Sequence, residues 1–564
     1  MNRLRPVLTL ALVAVTSLWL SCGTSPDTPA SPEPAAAPEP PPLAAGPDMP
    51  RLMQNLGDYH RPITTSSALA QRYFDQGMVM TFGFNHDAAV RSFKAAAQLD
   101  PTCASCLWGV GLALGPNINL PMGPENARAA HHAVTQAQLL GTGDALEKAL
   151  IAALATRYAA DPPEDRASLD LAYAEAMTAV QASQPDDIDL QVLLAESLMD
   201  LYPWNYWTEG AEPREHTVRI QALLESALAA NPKHVGANHY YIHAMEEYFP
   251  EKAVPAADRL GTLAPDAGHL VHMPSHIYWR VGRYDDALEI NQRASLADEN
   301  FFSWCSAGAF YQALYYPHNV HFLWAAAAAE GRSEIALAAA RKLAAKTEGG
   351  MGEMAFLQEF VAVPMQTLVR FGRWDAALGE PKPAEENRYL VAIWHYTRGI
   401  ALVRTGDLVG AQVELDGVRA IAAEPESEAL ILAGGTASAR SLLEIGVAHL
   451  EGELLAGQGD LSAAAASLAG AVSKQDALVY MEPPPWYFPT RQALGAVLLD
   501  AGRADEAAEV YRKDLEQFPR NGWSLYGLAE SLRATGRDAE AEWAGQGFRS
   551  AWARADVELS ASRF

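Results

Sequence analysis

Gly502-Arg-Ala-Asp-Glu-Ala507 is followed 34 residues later by Gly536-Arg-Asp-Ala-Glu-Ala541. The same frame of Gly, four residues and Ala stands at Gly282–Ala287, Gly331–Ala336, Gly372–Ala377, Gly406–Ala411 and Gly459–Ala464. The step from Gly372 to Gly406 is also 34 residues, and the remaining steps run from 41 to 53. A recurrence of this size marks a stack of short units, each unable to bury its own apolar face. Gly serves a tight turn, and Ala lets one helix approach another closely. Runs such as Ala325–Ala329 and Ala463–Ala466 fill the spaces between frames, and Ala is the best helix former. The pattern predicts an all-α solenoid of paired helices.

Further upstream, Ala89, Phe93, Ala96 and Pro101 repeat a small, aromatic, small, terminal-Pro spacing. Asn231-Pro232, Ala264-Pro265 and Phe518-Pro519 close second helices in the same way. These residues resemble the tetratricopeptide repeat (TPR) over about 68–550, with gaps. The set Cys103-Ala-Ser-Cys106-Leu-Trp108-Gly109, Gly115-Pro-Asn117-Ile-Asn119 and Glu482-Pro-Pro-Pro-Trp486-Tyr487 is similar to that of a group of bacterial repeat proteins of this length. The resemblance implies an architecture and leaves function open, because such arrays mostly present binding grooves.

The first residues read as a targeting segment. Arg3 and Arg5 precede an apolar stretch, Val7 to Leu20, which ends at Ser21-Cys22-Gly23. This resembles a bacterial lipoprotein signal over 1–21, with Cys22 as the lipidation site, although Trp19 departs from the usual pattern. Residues 22–50 are rich in Pro and Ala and read as an extended tether. The expected domains are then an N-terminal repeat array over 51–330 and a C-terminal array over 331–564. The expected location is the cell envelope, on the periplasmic side of an outer membrane, held by the lipid alone. The net charge of −26 argues against a nucleic-acid or anionic-membrane surface. No phosphate-binding glycine loop or Gly-x-Ser-x-Gly elbow occurs, so nucleotide and serine-hydrolase chemistry have no support.

Eight of the 15 histidines lie between His234 and His321. They form His239-Tyr-Tyr-Ile-His243-Ala-Met-Glu246, His269-Leu-Val-His272-Met-Pro-Ser-His276 and His318-Asn-Val-His321. His239 and His272 are 33 residues apart, as are His243 and His276. Residues at i and i+4 share a helix face, so the repeat stacks one group beside the next. Converging imidazoles suit copper, zinc or iron. The candidate metal ligands are His239, His243, Glu246, His269, His272, His276, His318 and His321. Tyr240, Tyr241 and Ile242 fill the space between the first pair, so the glutamate of zinc peptidases is missing there. His131, His132 and His234 read as surface residues.

Cys103 and Cys106 form a redox or disulfide pair. Haem attachment is excluded by Leu107 after the second cysteine. Trp204 and Tyr206, Asn117 and Asn119, and Trp486, Tyr487 and Arg491 are candidate groove residues for a substrate or partner. The expected function is an extracytoplasmic scaffold binding a protein or peptide, with a His-rich metal site in its groove. The alternatives are a metal-dependent oxidase or hydrolase in that groove, and a metal-free envelope scaffold. A closed interior favours the enzyme, and an open groove favours the scaffolds.

Overall fold

The computed structural model describes residues 49–305, 308 and 310–564. The expected signal segment, Cys22 and the tether up to residue 48 lie outside the described residues. From Ala68–Phe82 and His86–Leu99 to Gly522–Ala534 and Asp538–Ala551, helix follows helix, and each packs mainly on its neighbours in sequence. The fold is an all-α helix-pair solenoid, as the frames predict. Among the described residues, strand structure is confined to Ile431–Leu432 paired antiparallel with Ala437–Ser438. No described helix is long and apolar enough to cross a membrane.

The repeat frame works as its residue types require. All seven frame glycines adopt left-handed backbone, with φ between 62° and 90°. The paired alanines, from Ala287 to Ala541, are at most 1% exposed. The aromatic position is also repeated: Phe93 wedges against Gly77 and Gly109, and Tyr511 wedges against Gly495 and Gly527. In both cases the glycines stand sixteen residues before and after the ring. Any side chain there would overlap the ring, so small residues on the flanking helices admit one large wedge.

Two apolar cores result. One runs from Leu56 to Phe371 and takes in Phe518 and Trp523; the other spans Ala362 to Ala544. The late helices therefore fold back on the early ones. Trp523 donates its Nε1–H to the Ala328 carbonyl at 3.0 Å. Gly282 abuts the Pro519 carbonyl, and Gly331 abuts the Trp552 ring.

This closure separates two kinds of turn glycine. Around Gly502 a Cβ meets nothing, whereas at Gly282 it meets the Pro519 backbone. Gly502→Ala should cost only the left-handed strain, about 1–2 kcal/mol. Gly282→Ala should cost at least about 1 kcal/mol more, because backbone must shift. Urea unfolding of the two variants checks the order; equal losses would remove the argument for closure at this turn.

Candidate metal centre

The helix Val235–Met245 carries His239 and His243 and is buried on all sides. Its N-cap is His234, whose Nδ1 accepts from the Ala237 N–H at 3.0 Å. The other ring nitrogen of His234 lies 2.9 Å from Asp189, which also pairs with Arg61. His234 is thus a buried capping residue, 4% exposed, and not the surface residue expected from sequence. Its ring satisfies a helix-end amide that would otherwise lack an acceptor inside the protein.

His269 and His272 lie on Gly268–His272, and His276 on Pro274–Arg280. His318 lies on Tyr316–Ala329, just after a widened π turn at Tyr311–Tyr315. The structure sorts six of the eight candidates into two trios. In His239, His243 and His269 one ligand atom from each lies within 4.8 Å of the others, and the same holds for His272, His276 and His318. The trios are adjacent, with the ring centroids of His243 and His276 at 6.2 Å and those of His269 and His272 at 5.9 Å.

Hydrogen bonds outside the trios set the ring tautomers. His239 Nδ1 lies 2.5 Å from the Phe82 carbonyl, which only accepts, so the proton is on Nδ1 and Nε2 is a bare lone pair. His272 Nδ1 lies 2.6 Å from Asn291 Oδ1. The Asn291 amide nitrogen is already committed to the Ala287 carbonyl, so His272 also donates from Nδ1. Its Nε2 then faces His276 Nε2 at 3.1 Å, and His318 Nε2 lies 3.4 Å from His276 Nε2.

In the first trio His239 Nε2, His243 Nε2 and both nitrogens of His269 are buried without a hydrogen-bond partner. Each such atom costs about 1–3 kcal/mol in a folded protein. Their concentration in one place fits a cation acceptor, since imidazole nitrogens are the donor set that transition metals take. Burial keeps these rings neutral and ready to ligate: His239 and His276 are pushed down to about 3. His243, His269, His272 and His318 are held well below the usual imidazole range, by burial first and by neighbouring imidazoles second.

Glu246 sits between the trios. Its carboxylate oxygens lie 3.3 Å from His243 Nδ1 and 3.3 Å from His276 Nδ1. Glu482 lies 3.0 Å from His276 Nδ1 and 3.8 Å from the Arg280 guanidinium. Burial pushes Glu482 up to about 8, and it pushes Glu246 well above the carboxylate range, aided by Glu482. Burial thus favours their protonated forms, and a cation held by the rings would draw out the carboxylates as its counter-charges.

His321 does not join. Its ring stacks on Trp324 at 5.1 Å and meets the edge of Phe360 at 5.4 Å. Two groove candidates come to the site instead. Trp204 meets His243 edge-on at 5.0 Å and donates to Asn119 Oδ1 at 3.2 Å. Asn119 in turn reaches the Tyr315 hydroxyl at 3.4 Å. Asn117 Oδ1 accepts from the backbone of Asn119 and Leu120, which makes it a turn residue, and Tyr206 is buried. Trp486 is buried and Tyr487 half-buried in the second core, while Arg491 pairs outward with Asp476. Cys103 and Cys106 are joined as a disulfide.

Sequence reasoning missed Glu482, Asn291 and Phe84. Phe84 has φ 55°, rare for a bulky residue, and its ring lies 4.6 Å from His239 and 5.8 Å from His243. Its position just after Phe82 in a helix turn carried no signal of this.

No protein-family model matches the chain, and no curated relative matches it. Among solved structures it is similar to the human IFIT1 dimer with m7Gppp-AAAA, at 12% identity, covering 87% of this chain and 91% of that one, with a TM-score of 0.28. It is also similar to the Cut9–Hcn1 hetero-tetramer of APC/C, at 11% identity, covering 86% and 76%, with a TM-score of 0.28. A third is Naa15/Naa10 bound to HypK-THB, at 13% identity, covering 86% and 74%, with a TM-score of 0.23. Likeness at this level carries no argument about a site or a partner.

Proposed function

We propose that the chain is an exported, lipid-anchored helical-repeat protein whose interior holds two adjacent transition-metal sites and works as an oxidase on a small molecule. The carrying observation is the first trio, in which three imidazoles each bring a ligand atom within 4.8 Å of the others and four of their ring nitrogens are buried without hydrogen-bond partners. An all-nitrogen donor set suits copper first and zinc or iron next. Copper or iron bound here would supply one-electron redox chemistry, which zinc would not. The chain's own part is to hold neutral imidazoles in place, exclude water, and supply the carboxylates Glu246 and Glu482 as counter-charges. The space beside His269, about 10 Å³, favours a small molecule over a peptide at this site. The outer faces of the array stay available to a protein or peptide partner, as in repeat arrays generally.

One observation favours a second, metal-free reading. With Glu482 protonated, its O–H donates to His276 Nδ1, and His276 then donates from Nε2 to His272 across 3.1 Å. That chain satisfies the second trio and leaves the first one unexplained.

Elemental analysis decides between them, on protein lacking a His tag and with Cys22 replaced. The expected result is about two equivalents of copper or iron per chain; two of zinc would uphold the sites and overturn the oxidase. Metal below a tenth of an equivalent, with no uptake on titration, would establish the metal-free reading. Labelling with radioactive palmitate, lost on Cys22→Ala, checks the anchor.

A further inference from the structure

Beside the second trio, and separated from it by Phe322, lies a cavity of about 40 Å³ walled by Trp279, Trp324, Trp486 and Trp523. Phe322 bridges the two regions, 4.7 Å from His276 and 6.3 Å from Trp279 between ring centroids. Four indoles and the Pro483–Pro484 turn make the wall apolar and rigid. Its polar lining includes Arg370, Gln492 and Asn521.

Arg370 is the anomaly. It is 5% exposed, at the end of Val363–Arg370, with its guanidinium 3.6 Å from the Trp523 ring centre and 4.6 Å from that of Phe488. A guanidinium has five N–H donors. One of them meets Gln492 Oε1 at 2.8 Å. Among the described residues no carboxylate pairs with Arg370. Asp514 acts on it only across Gln492; its Oδ1 is buried without a hydrogen-bond partner and its Oδ2 is engaged. It accepts from the Ser524 hydroxyl at 2.5 Å, from Gln492 Nε2 at 3.0 Å and from Asn521 Nδ2 at 3.3 Å. Gln492 thus spans from the cation to the acid and keeps them apart. Buried arginines are ordinarily matched by a carboxylate, because an unmatched buried charge is costly. The burial shows in Arg370 itself, pushed down to about 9.

We infer that this cavity is a binding site for a short-chain monocarboxylate of the size of acetate or propionate, whose planar head pairs with Arg370 and whose alkyl end lies on the indoles. Three features select that class. The guanidinium fork matches a carboxylate in two parallel N–H···O bonds. The space of about 40 Å³ holds roughly three waters, which favours a small acid over a large one. The walls favour an apolar tail over a second charge. The site stands on its own residues and does not depend on a metal at the histidines.

Calorimetric titration of the full chain with sodium acetate and sodium propionate tests it, with acetamide and sodium chloride as controls. Saturable binding of the acids is expected, with none for acetamide or chloride. Arg370→Met should weaken acetate binding by at least tenfold. Acetamide binding as well as acetate, no saturable binding at all, or an unchanged affinity in Arg370→Met would overturn the site. If Arg370→Met does not fold, Arg370→Lys decides. It keeps the charge and loses the fork, so tenfold weaker acetate binding upholds the site and unchanged binding overturns it.

Discussion

Replacing His243 and His276 together by alanine is expected to abolish metal retention while leaving the helical far-UV spectrum unchanged. Each substitution takes one ligand from a different trio. Loss of a supporting hydrogen bond alone lowers metal affinity by roughly 10–100-fold, and loss of a ligand should exceed that at both sites. Stability should respond in a particular way. Metal that binds only the folded chain adds about 4 kcal/mol at 1,000 times its dissociation constant. That increment should vanish in the double variant; without metal, His243→Ala removes an unpartnered buried nitrogen, whereas His276→Ala removes the hydrogen bonds to Glu482 and His272 and should lower stability. Asn291→Ala, which frees the His272 tautomer, should fall between the two. Full metal occupancy in the double variant would refute the assignment.

Asp298→Asn is expected to stabilise the protein, and more so as pH rises. Asp298 is 1% exposed, accepts from Tyr311 at 2.9 Å and Asn319 at 2.7 Å, and has no cation beside it among the described residues. Burial pushes it up to about 7, against the effect of those two donors. The folded pKa lies above the unfolded value near 3.8. The contribution of this group is therefore fully present below about pH 4 and is lost as pH rises through 7. At pH 8 the folded chain carries a buried charge, or holds a proton, that the unfolded chain does not, at a cost of roughly 4 kcal/mol. The amide removes that cost but turns its NH2 toward Tyr311 or Asn319, both donors, at about 1–3 kcal/mol. The net gain should be about 1–3 kcal/mol at pH 8 and about 2 kcal/mol smaller at pH 5. Urea unfolding at both pH values measures it. A gain independent of pH would show that Asp298 titrates normally. The same Tyr311 hydroxyl accepts from the His269 N–H at 3.2 Å, so ionisation of Asp298 also bears on how the first trio is held.

Local rules were legible in the chain because they act over a few residues. The frame glycines predicted left-handed turns, and all seven adopt them. The frame alanines and Phe93 predicted close helix packing, and these residues are buried as expected. The histidine spacing predicted convergence: i, i+4 places His239 beside His243 and His272 beside His276 on one face each, and the repeat brings the two pairs together. The same rule placed His321 with His318, and there it failed. One turn of helix separates a ring facing the site from one stacked on Trp324.

Tertiary structure decided what lies far apart in sequence. Glu482 reaches His276 from a loop 206 residues away, and no periodicity carries that information. His234 read as a surface residue, yet Asp189 and the start of the following helix draw it inside. The chain closes because Trp523 and Pro519 meet the turns of much earlier repeats, which buries the interior and leaves Arg370 without a carboxylate. The sequence by itself determined the helices, their turns and which histidines share a face, since those follow from backbone sterics and the helical period. Only the closed superhelix decided that the histidines are dry, neutral and short of hydrogen-bond partners, because desolvation belongs to the packed whole and not to any segment of it.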